Sequence, residues 1–392
     1  MNEIEDRLRI ALDEKEASCS LRTLPAAHNG TTKNQPVDFC SNDYLGFSRS
    51  EILQKKIRQF EKECLDARVG STGSRLISGN TGLCEELEDQ IAKFHHAEAG
   101  LIFNSGYDAN IGIFSSVAER TDTIIYDRLV HASIRDGIRL NHARAFSFEH
   151  NNVEDLERKL RAQCADAKEH GTVGSIFVAV ESVYSMDGDC APLREIVELC
   201  GKYGANLVVD EAHATGVFGN KGEGKVAELG MEDKIFARLH TFGKALGCHG
   251  AIVLGSKTLR SYLINFARSF IYTTALPFHS LIAVKCAYEL LDSDTGSFQC
   301  LKNRISFFRK RISETTIRGM IRSESAIQCV VVPGNAVVRK IACKIQEAGF
   351  DVRPILHPTV SSGAERLRIC LHSFNSESEI DGLIETLSSD LT

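Results

Sequence analysis

Two short stretches carry the residues best suited to chemistry. Leu-Val-Val-Asp-Glu-Ala-His at 207–213 is a buried-strand run that ends in an acid, Asp210, with His213 three residues on. Thr-Phe-Gly-Lys at 241–244 sets Lys244 beside a glycine and three residues after a hydroxyl, directly behind the apolar run 235–239. In open α/β sheets, ligands sit beyond the carboxyl ends of the strands, so two strands can deliver an acid and an amine to one bound molecule. Pyridoxal phosphate (PLP) calls for that pair: a lysine for its aldehyde and an acid against its pyridine nitrogen. Lys244 is therefore the candidate Schiff-base residue, and Asp210 the partner that keeps the ring protonated as an electron sink. Thr241 offers a hydroxyl to phosphate, while Gly243 and Gly247 flank Lys244 without bulk and leave room for a ring. His213, helped by the hydroxyl of Ser185, is expected at the ring's phenolic oxygen.

Two further segments fit the same ligand. Phe-Asn-Ser-Gly-Tyr-Asp-Ala-Asn at 103–110 reads as a strand-to-helix turn, and free amides at a helix start attract phosphate, which selects Gly106 and Tyr107. His131, in Asp-Arg-Leu-Val-His-Ala-Ser, follows a strand and is placed to stack on the ring. Each of these taken singly also reads as ordinary structure: Asp210 as a helix cap, Gly106 as a plain turn, His131 as a structural histidine. Gly219-Asn-Lys-Gly-Glu-Gly-Lys225-Val226 nearly spells a nucleotide P-loop, but Val226 stands where a magnesium-binding hydroxyl is required. With no G-x-G-x-x-G after the first strand, a dinucleotide site is not expected, and the histidines show no metal-ligand spacing.

The elements that must position these groups alternate. Strands are expected at 101–104, 123–126, 143–148, 175–181, 206–210, 235–240 and 251–254, and helices at 83–95, 152–168 and 192–203, the last with Pro192 in its first turn. This pattern predicts an α/β fold, a mostly parallel sheet flanked by helices, over a large PLP-binding domain at 51–291. Residues 1–50 form an N-terminal arm: a polar helix at 1–20 with Ile4, Leu8 and Leu12 in register, then a loop at 21–35 carrying Pro25, Asn29 and Gly30. A basic helix near 300–315, a strand at 327–332, a helix at 336–348 and a strand at 367–371 make a smaller α/β domain over 292–392.

Bulk composition bounds the partners. The chain has 392 residues, 43% hydrophobic and 25% charged, with a net charge of −6. That balance suits a soluble globular protein and argues against nucleic acid. No apolar run reaches the ~18 residues of a membrane span, and 1–15 lacks the apolar core of a secretory signal, so a cytoplasmic protein is expected. Thirteen cysteines, an odd number without a C-x-x-C pair, read as reduced small hydrophobes.

Six segments together resemble the α-oxoamine synthases, fold-type I PLP enzymes, and the likeness runs through nearly the whole chain. They are Ser41-Asn-Asp-Tyr-Leu-Gly, Asp127-Arg-Leu-Val-His-Ala-Ser, Ser185-Met-Asp-Gly-Asp, Val209-Asp-Glu-Ala-His-Ala-Thr-Gly, Thr241-Phe-Gly-Lys and Ile271-Tyr-Thr-Thr-Ala-Leu-Pro. Within that family, Phe148-Glu-His-Asn-Asn and Gly247-Cys-His-Gly-Ala-Ile-Val are similar to the members of biotin synthesis. Cys84 stands where relatives commonly carry histidine, and Pro354-Ile-Leu-His-Pro-Thr-Val lacks an arginine found in some of them. The resemblance implies decarboxylative condensation of L-alanine with pimeloyl-CoA to an α-amino ketone (8-amino-7-oxononanoate), CoA and CO2. Other family members instead join glycine to acetyl-CoA or serine to a long-chain acyl-CoA, and a non-catalytic scaffold subunit would be expected to lack Lys244. It also implies that Lys244 removes the α-proton, that Thr273 reaches the phosphate from a second subunit of a homodimer, that Arg368 grips the amino-acid carboxylate, and that Arg22 and Asn42 line the acyl-CoA entrance.

Overall fold

The computed structural model describes residues 3–24, 36–64, 69–170, 174–293 and 296–391. The stretch of the expected loop that holds Pro25, Asn29 and Gly30 lies outside the described residues. Two units form: a larger one from Asn42–Ser185 and Cys190–Cys300, and a smaller one from Met1–Ser41, Met186–Asp189 and Leu301–Thr392 as far as these are described.

The larger unit is built on seven strands: β1 (Ala99–Phe103), β2 (Thr123–Asp127), β3 (Arg144–Phe148), β4 (Ile176–Glu181), β5 (Asn206–Asp210), β6 (Ala237–Thr241) and β7 (Ala251–Gly255). Their order is β1-β7-β6-β5-β4-β2-β3, all neighbours parallel except β7, which runs antiparallel to both β1 and β6. The mostly parallel sheet expected from the alternating pattern is present. Val178, Ala179, Val180, Val208 and Val209 are buried, which is why β4 and β5 read as continuous apolar runs: central parallel strands are covered on both faces. Edge strand β3 instead exposes Arg144 through Ser147. Helix Leu193–Tyr203 starts after Pro192, which caps it, and Gly204 closes it in a left-handed conformation (φ 65°). Because β1 is antiparallel to β7 and β7 to β6, the carboxyl ends of β1, β2, β4, β5 and β6 all open on one edge. Every candidate loop of the larger unit from Gly106 to Lys244 leaves from that edge.

The smaller unit holds an antiparallel sheet of β8 (Ile327–Val331), β9 (Arg353–Ile355) and β10 (Arg366–Cys370), with β10 in the middle. Val37–Asp38 adds a short parallel ladder with Phe350–Asp351. The N-terminal helix Glu3–Ala17 buries none of its side chains. All thirteen cysteines are free, and burial pushes the thiols of Cys200 and Cys329 up to about 12, so they behave as small hydrophobes. No described helix is long and apolar enough to cross a membrane.

Candidate active site

Lys244 lies in the tight turn after β6, where Gly247 N–H donates to its carbonyl at 2.9 Å. Its Nζ is 2.9 Å from His213 Nε2, and the other ring nitrogen of His213, Nδ1, is 2.7 Å from the Tyr44 hydroxyl. Tyr44 and His213 are both buried, and Tyr44 also donates to Asn42 Oδ1 at 3.2 Å. The loop after β5 and the Ser-Asn-Asp-Tyr turn thus hold the imidazole from opposite sides, with one nitrogen left for the amine. Gly247 serves a different purpose from the one its spacing suggested. It sits at φ +59°, and a Cβ there would lie 2.2 Å from Ser48 N, so backbone contact, not ring clearance, demands glycine. Gly243 meets only Cys248 O at 3.6 Å and is open.

Asp210 ends β5 and is buried. Its Oδ1 accepts Ala212 N–H at 2.9 Å and its Oδ2 accepts Asn110 Nδ2 at 2.8 Å. In register beside it on β4 is Glu181, 3% exposed, whose Oε1 accepts the backbone N–H of His131 at 2.5 Å. Burial, and then the Asp210 charge, raise the Glu181 carboxyl to about 8, against the pull of Lys244 and of the amides of His131 and Ser185. His131 is exposed and caps helix Ala132–Arg139 through its own Nδ1. Loss of solvent around the ring lowers its pKa, with Asp210 pulling it upward and Lys244 downward. Asp210 and Lys244 therefore act in opposite senses on one imidazole and one buried acid.

Helix Gly106–Ser116 begins directly beyond β1, capped by Ser105, whose hydroxyl accepts Asp108 N–H. A Cβ on Gly106 would lie 3.7 Å from Thr241 Oγ1, so the helix start and this hydroxyl face each other. Tyr107 is half exposed, and its hydroxyl donates to Asp136 at 2.8 Å. Within its own chain Thr273 is held by Asn104, whose Nδ2 donates to its Oγ1 at 2.7 Å. Ser185, buried, follows β4 at the same edge. Arg368 and Arg22 belong to the smaller unit. Arg368, buried on β10, donates to Cys370 Sγ at 3.1 Å, and Arg22 donates to Thr359 Oγ1 at 3.1 Å.

Four residues of this site escaped sequence reasoning: Tyr44, Asn110, Ser133 and Glu181. Glu181 carried the signal that flagged Asp210, an acid ending an apolar strand; the others lay inside quoted motifs without a distinguishing feature. The near P-loop at 219–226 has its amides filled, since Glu211 Oε1 accepts from Lys225 N at 2.8 Å and Val226 N at 3.1 Å.

The side-chain types gathered at this edge suit PLP. An amine, an acid, an imidazole, an exposed aromatic ring and a helix start facing a hydroxyl answer its aldehyde, pyridine nitrogen, phenolic oxygen, ring face and phosphate. Residues 34–387 match the family model described as aminotransferase class I and II. The chain is 44% identical to 8-amino-7-oxononanoate synthase of Emericella nidulans, over 98% of this chain and 95% of that one. It matches serine palmitoyltransferase of S. paucimobilis, solved with PLP and myriocin bound, at TM-score 0.86 over 100% of this chain and 98% of that one; at 24% identity this bears on fold alone. The 8-amino-7-oxononanoate synthase of Francisella tularensis matches at TM-score 0.73 and 28% identity, over 90% and 97%. Fold and donor set together define a fold-type I PLP transferase. The chain belongs to the aminotransferase class I and II family.

Proposed function

We propose that this protein is a PLP-dependent acyltransferase that condenses L-alanine with pimeloyl-CoA, giving 8-amino-7-oxononanoate, CoA and CO2. The observation that carries the reading is the 44% identity, over nearly the full length of both chains, to a protein named for that reaction. Bound here, PLP supplies an aldehyde carbon for an amine and a protonated pyridine ring that takes up the electron pair left on the α-carbon. Asp210 holds the ring nitrogen's proton by its charge. His131 would stack on the ring face, and His213 with Ser185 would hold the phenolic oxygen. Gly106, Tyr107 and Thr241 hold the phosphate through amides and hydroxyls, joined by Thr273 of a second subunit in a homodimer.

Lys244 would take the α-proton, with His213 Nε2 at 2.9 Å to orient the amine. A carbon–carbon bond then forms between the α-carbon and the thioester carbonyl as the carbon–sulfur bond breaks and CoA leaves. Loss of the carboxylate as CO2 leaves an electron pair on the same carbon, and a proton returned there completes the amino ketone. Arg368 grips the carboxylate through its planar fork, and Arg22 and Asn42 line the acyl-CoA entrance. We assign cofactor binding to the larger unit and place the enzyme in the cytoplasm.

A second reading, serine with a long-chain acyl-CoA, is favoured by the likeness to serine palmitoyltransferase of Sphingomonas wittichii, at TM-score 0.85 and 27% identity over 99% of this chain and 97% of that one. Fold similarity is shared across chemistries, and the relative at 44% identity over nearly the full length of both chains is named for the alanine product, so the alanine reaction is preferred. Release of CoA, followed with a thiol reagent, across alanine, glycine and serine and a series of acyl-CoAs separates the two. Turnover confined to glycine, or to serine with long chains, would refute the alanine–pimeloyl assignment.

A further inference from the structure

Asp210 and His131 are joined by two side chains that the reaction above does not use. Asn110, on helix Gly106–Ser116, is 2% exposed and has two hydrogens on Nδ2. Both are committed, one to Asp210 Oδ2 at 2.8 Å and one to Ser133 Oγ at 3.0 Å. Ser133, 1% exposed, places its hydroxyl oxygen 2.8 Å from His131 Nδ1, and its backbone N–H donates to that same nitrogen at 3.2 Å.

The direction of each bond follows from valence. A carboxylate oxygen only accepts, so Asn110 turns its amino group toward Asp210, at the expense of its own Oδ1, which finds no partner among the described residues. Ser133 Oγ accepts from Asn110 and has its single hydrogen left for His131. Nδ1 of His131 then receives two hydrogens, one from the hydroxyl and one from the backbone, and carries none itself. The imidazole proton is on Nε2.

We propose that Asn110 and Ser133 are positioning residues that hold His131 as the neutral Nε2–H tautomer and tie its ring to the carboxylate of Asp210. The charged groups around the ring pull in both directions: Asp210 and Asp136 favour the imidazolium and Lys244 opposes it. Two donors at Nδ1 decide the matter by leaving no room for a second ring proton. The use of this arrangement rests on the PLP reading: a neutral imidazole lies against a protonated pyridine ring without like-charge repulsion, and the Asp210–Asn110–Ser133 chain keeps the acid and the stacking ring in step.

The test reads the nitrogens directly. Full-length protein labelled with ¹⁵N in its histidine side chains is examined by NMR without cofactor or substrate, His131→Gln supplying the assignment. Wild-type His131 is expected to show an unprotonated Nδ1 and a protonated Nε2 at neutral pH. Ser133→Ala removes one of the two donors and is expected to raise the His131 titration midpoint by about one unit, the size of one net hydrogen bond. Ser133→Thr, which restores a hydroxyl, is expected to return it to the wild-type position. Asn110→Ala is expected to weaken retention of added PLP by about tenfold, through the lost donor to Asp210. A protonated Nδ1 in the wild-type protein at neutral pH overturns the proposal whatever the variants do. An unmoved midpoint in a folded Ser133→Ala does the same. Since the nitrogens are read without substrate, a failed substrate screen would sink the reaction and leave this assignment standing.

Discussion

Replacing Asp210 by asparagine keeps shape and removes charge, and the structure allows its two consequences to be worked out separately. The carboxylate accepts from Ala212 N–H at 2.9 Å and from Asn110 Nδ2 at 2.8 Å, and it is buried. An amide offers one oxygen and one amino group to these two donors, so either orientation sets N–H against N–H. An unpaired buried donor costs about 1–3 kcal/mol of fold stability. Asn110 can relieve this by flipping, but it then withdraws its hydrogen from Ser133, so about 2 kcal/mol is the expected loss in the cofactor-free protein. The loss in rate is larger: stripping one charge from a buried pair costs about 3 kcal/mol or more, which is about 10²-fold in turnover. Glu181 moderates this. Its carboxyl stands at about 8 through burial and then through the Asp210 charge, so Asp210→Asn lowers it and lets a negative charge reappear one strand away. Adding Glu181→Gln to Asp210→Asn removes that surrogate and is expected to cost a further ~10-fold. In the wild-type background, where Glu181 is mostly protonated at pH 7, Glu181→Gln changes the rate by less than about threefold. Thermal melts of cofactor-free protein measure the first effect, and CoA release with saturating PLP the second. An Asp210→Asn variant within threefold of wild-type turnover refutes the electron-sink argument, and strict additivity of the double variant refutes the coupling.

Three further outcomes follow from the same coordinates. Lys244→Ala is expected to lower CoA release by more than about 10³-fold, and Lys244→Arg not to restore it, because the guanidinium stays protonated and does not take the α-proton; loss of the visible band of bound PLP is the spectroscopic check. Glu181→Gln should become more stable relative to wild type as pH rises. Between the ordinary carboxyl value of 4.5 and about 8 the folded protein keeps a proton that the unfolded chain has released, so wild-type stability falls with increasing pH across that window. The variant lacks this slope, and denaturant midpoints at pH 5 and pH 8 would expose the reasoning as wrong if they differed equally in both proteins. Gly247→Ala puts a Cβ 2.2 Å from Ser48 N at φ +59°, with an expected loss of about 2–4 kcal/mol and a displaced Lys244; a melting temperature equal to wild type would contradict it.

Much of this was legible in the chain because it depends on local rules. Apolar runs mark the inner strands such as β4 and β5, since a parallel strand covered on both faces has no polar alternation to hide it. The small sheet was visible for a similar reason, as runs at 327–332 and 367–371. Helices at Glu51–Glu63 and Phe278–Ser293 were not anticipated. The second buries Leu281, Ile282, Val284 and Tyr288 on several sides at once, and a helix covered all round has no amphipathic period to read. The pairing of Val37–Asp38 with Phe350–Asp351 joins residues more than three hundred positions apart, and nothing in either dipeptide announces it.

The same division holds within the site. Sequence alone determined which groups are available, since an acid ending a buried strand, a lysine between glycines and a glycine opening a helix each announce themselves within a few residues. Only the tertiary structure decided what those groups are to one another. Register between β4 and β5 sets Glu181 beside Asp210 and makes one of them reluctant to ionise. Two separate segments bring Asp210 and Asn110 to the helix start that holds His131 and Ser133, and a third brings Tyr44 to His213. The physical reason is range. Propensity and hydrophobic period act over a turn or a strand, whereas a hydrogen bond or a shared charge acts between whatever the fold has made neighbours, however far apart the chain spells them.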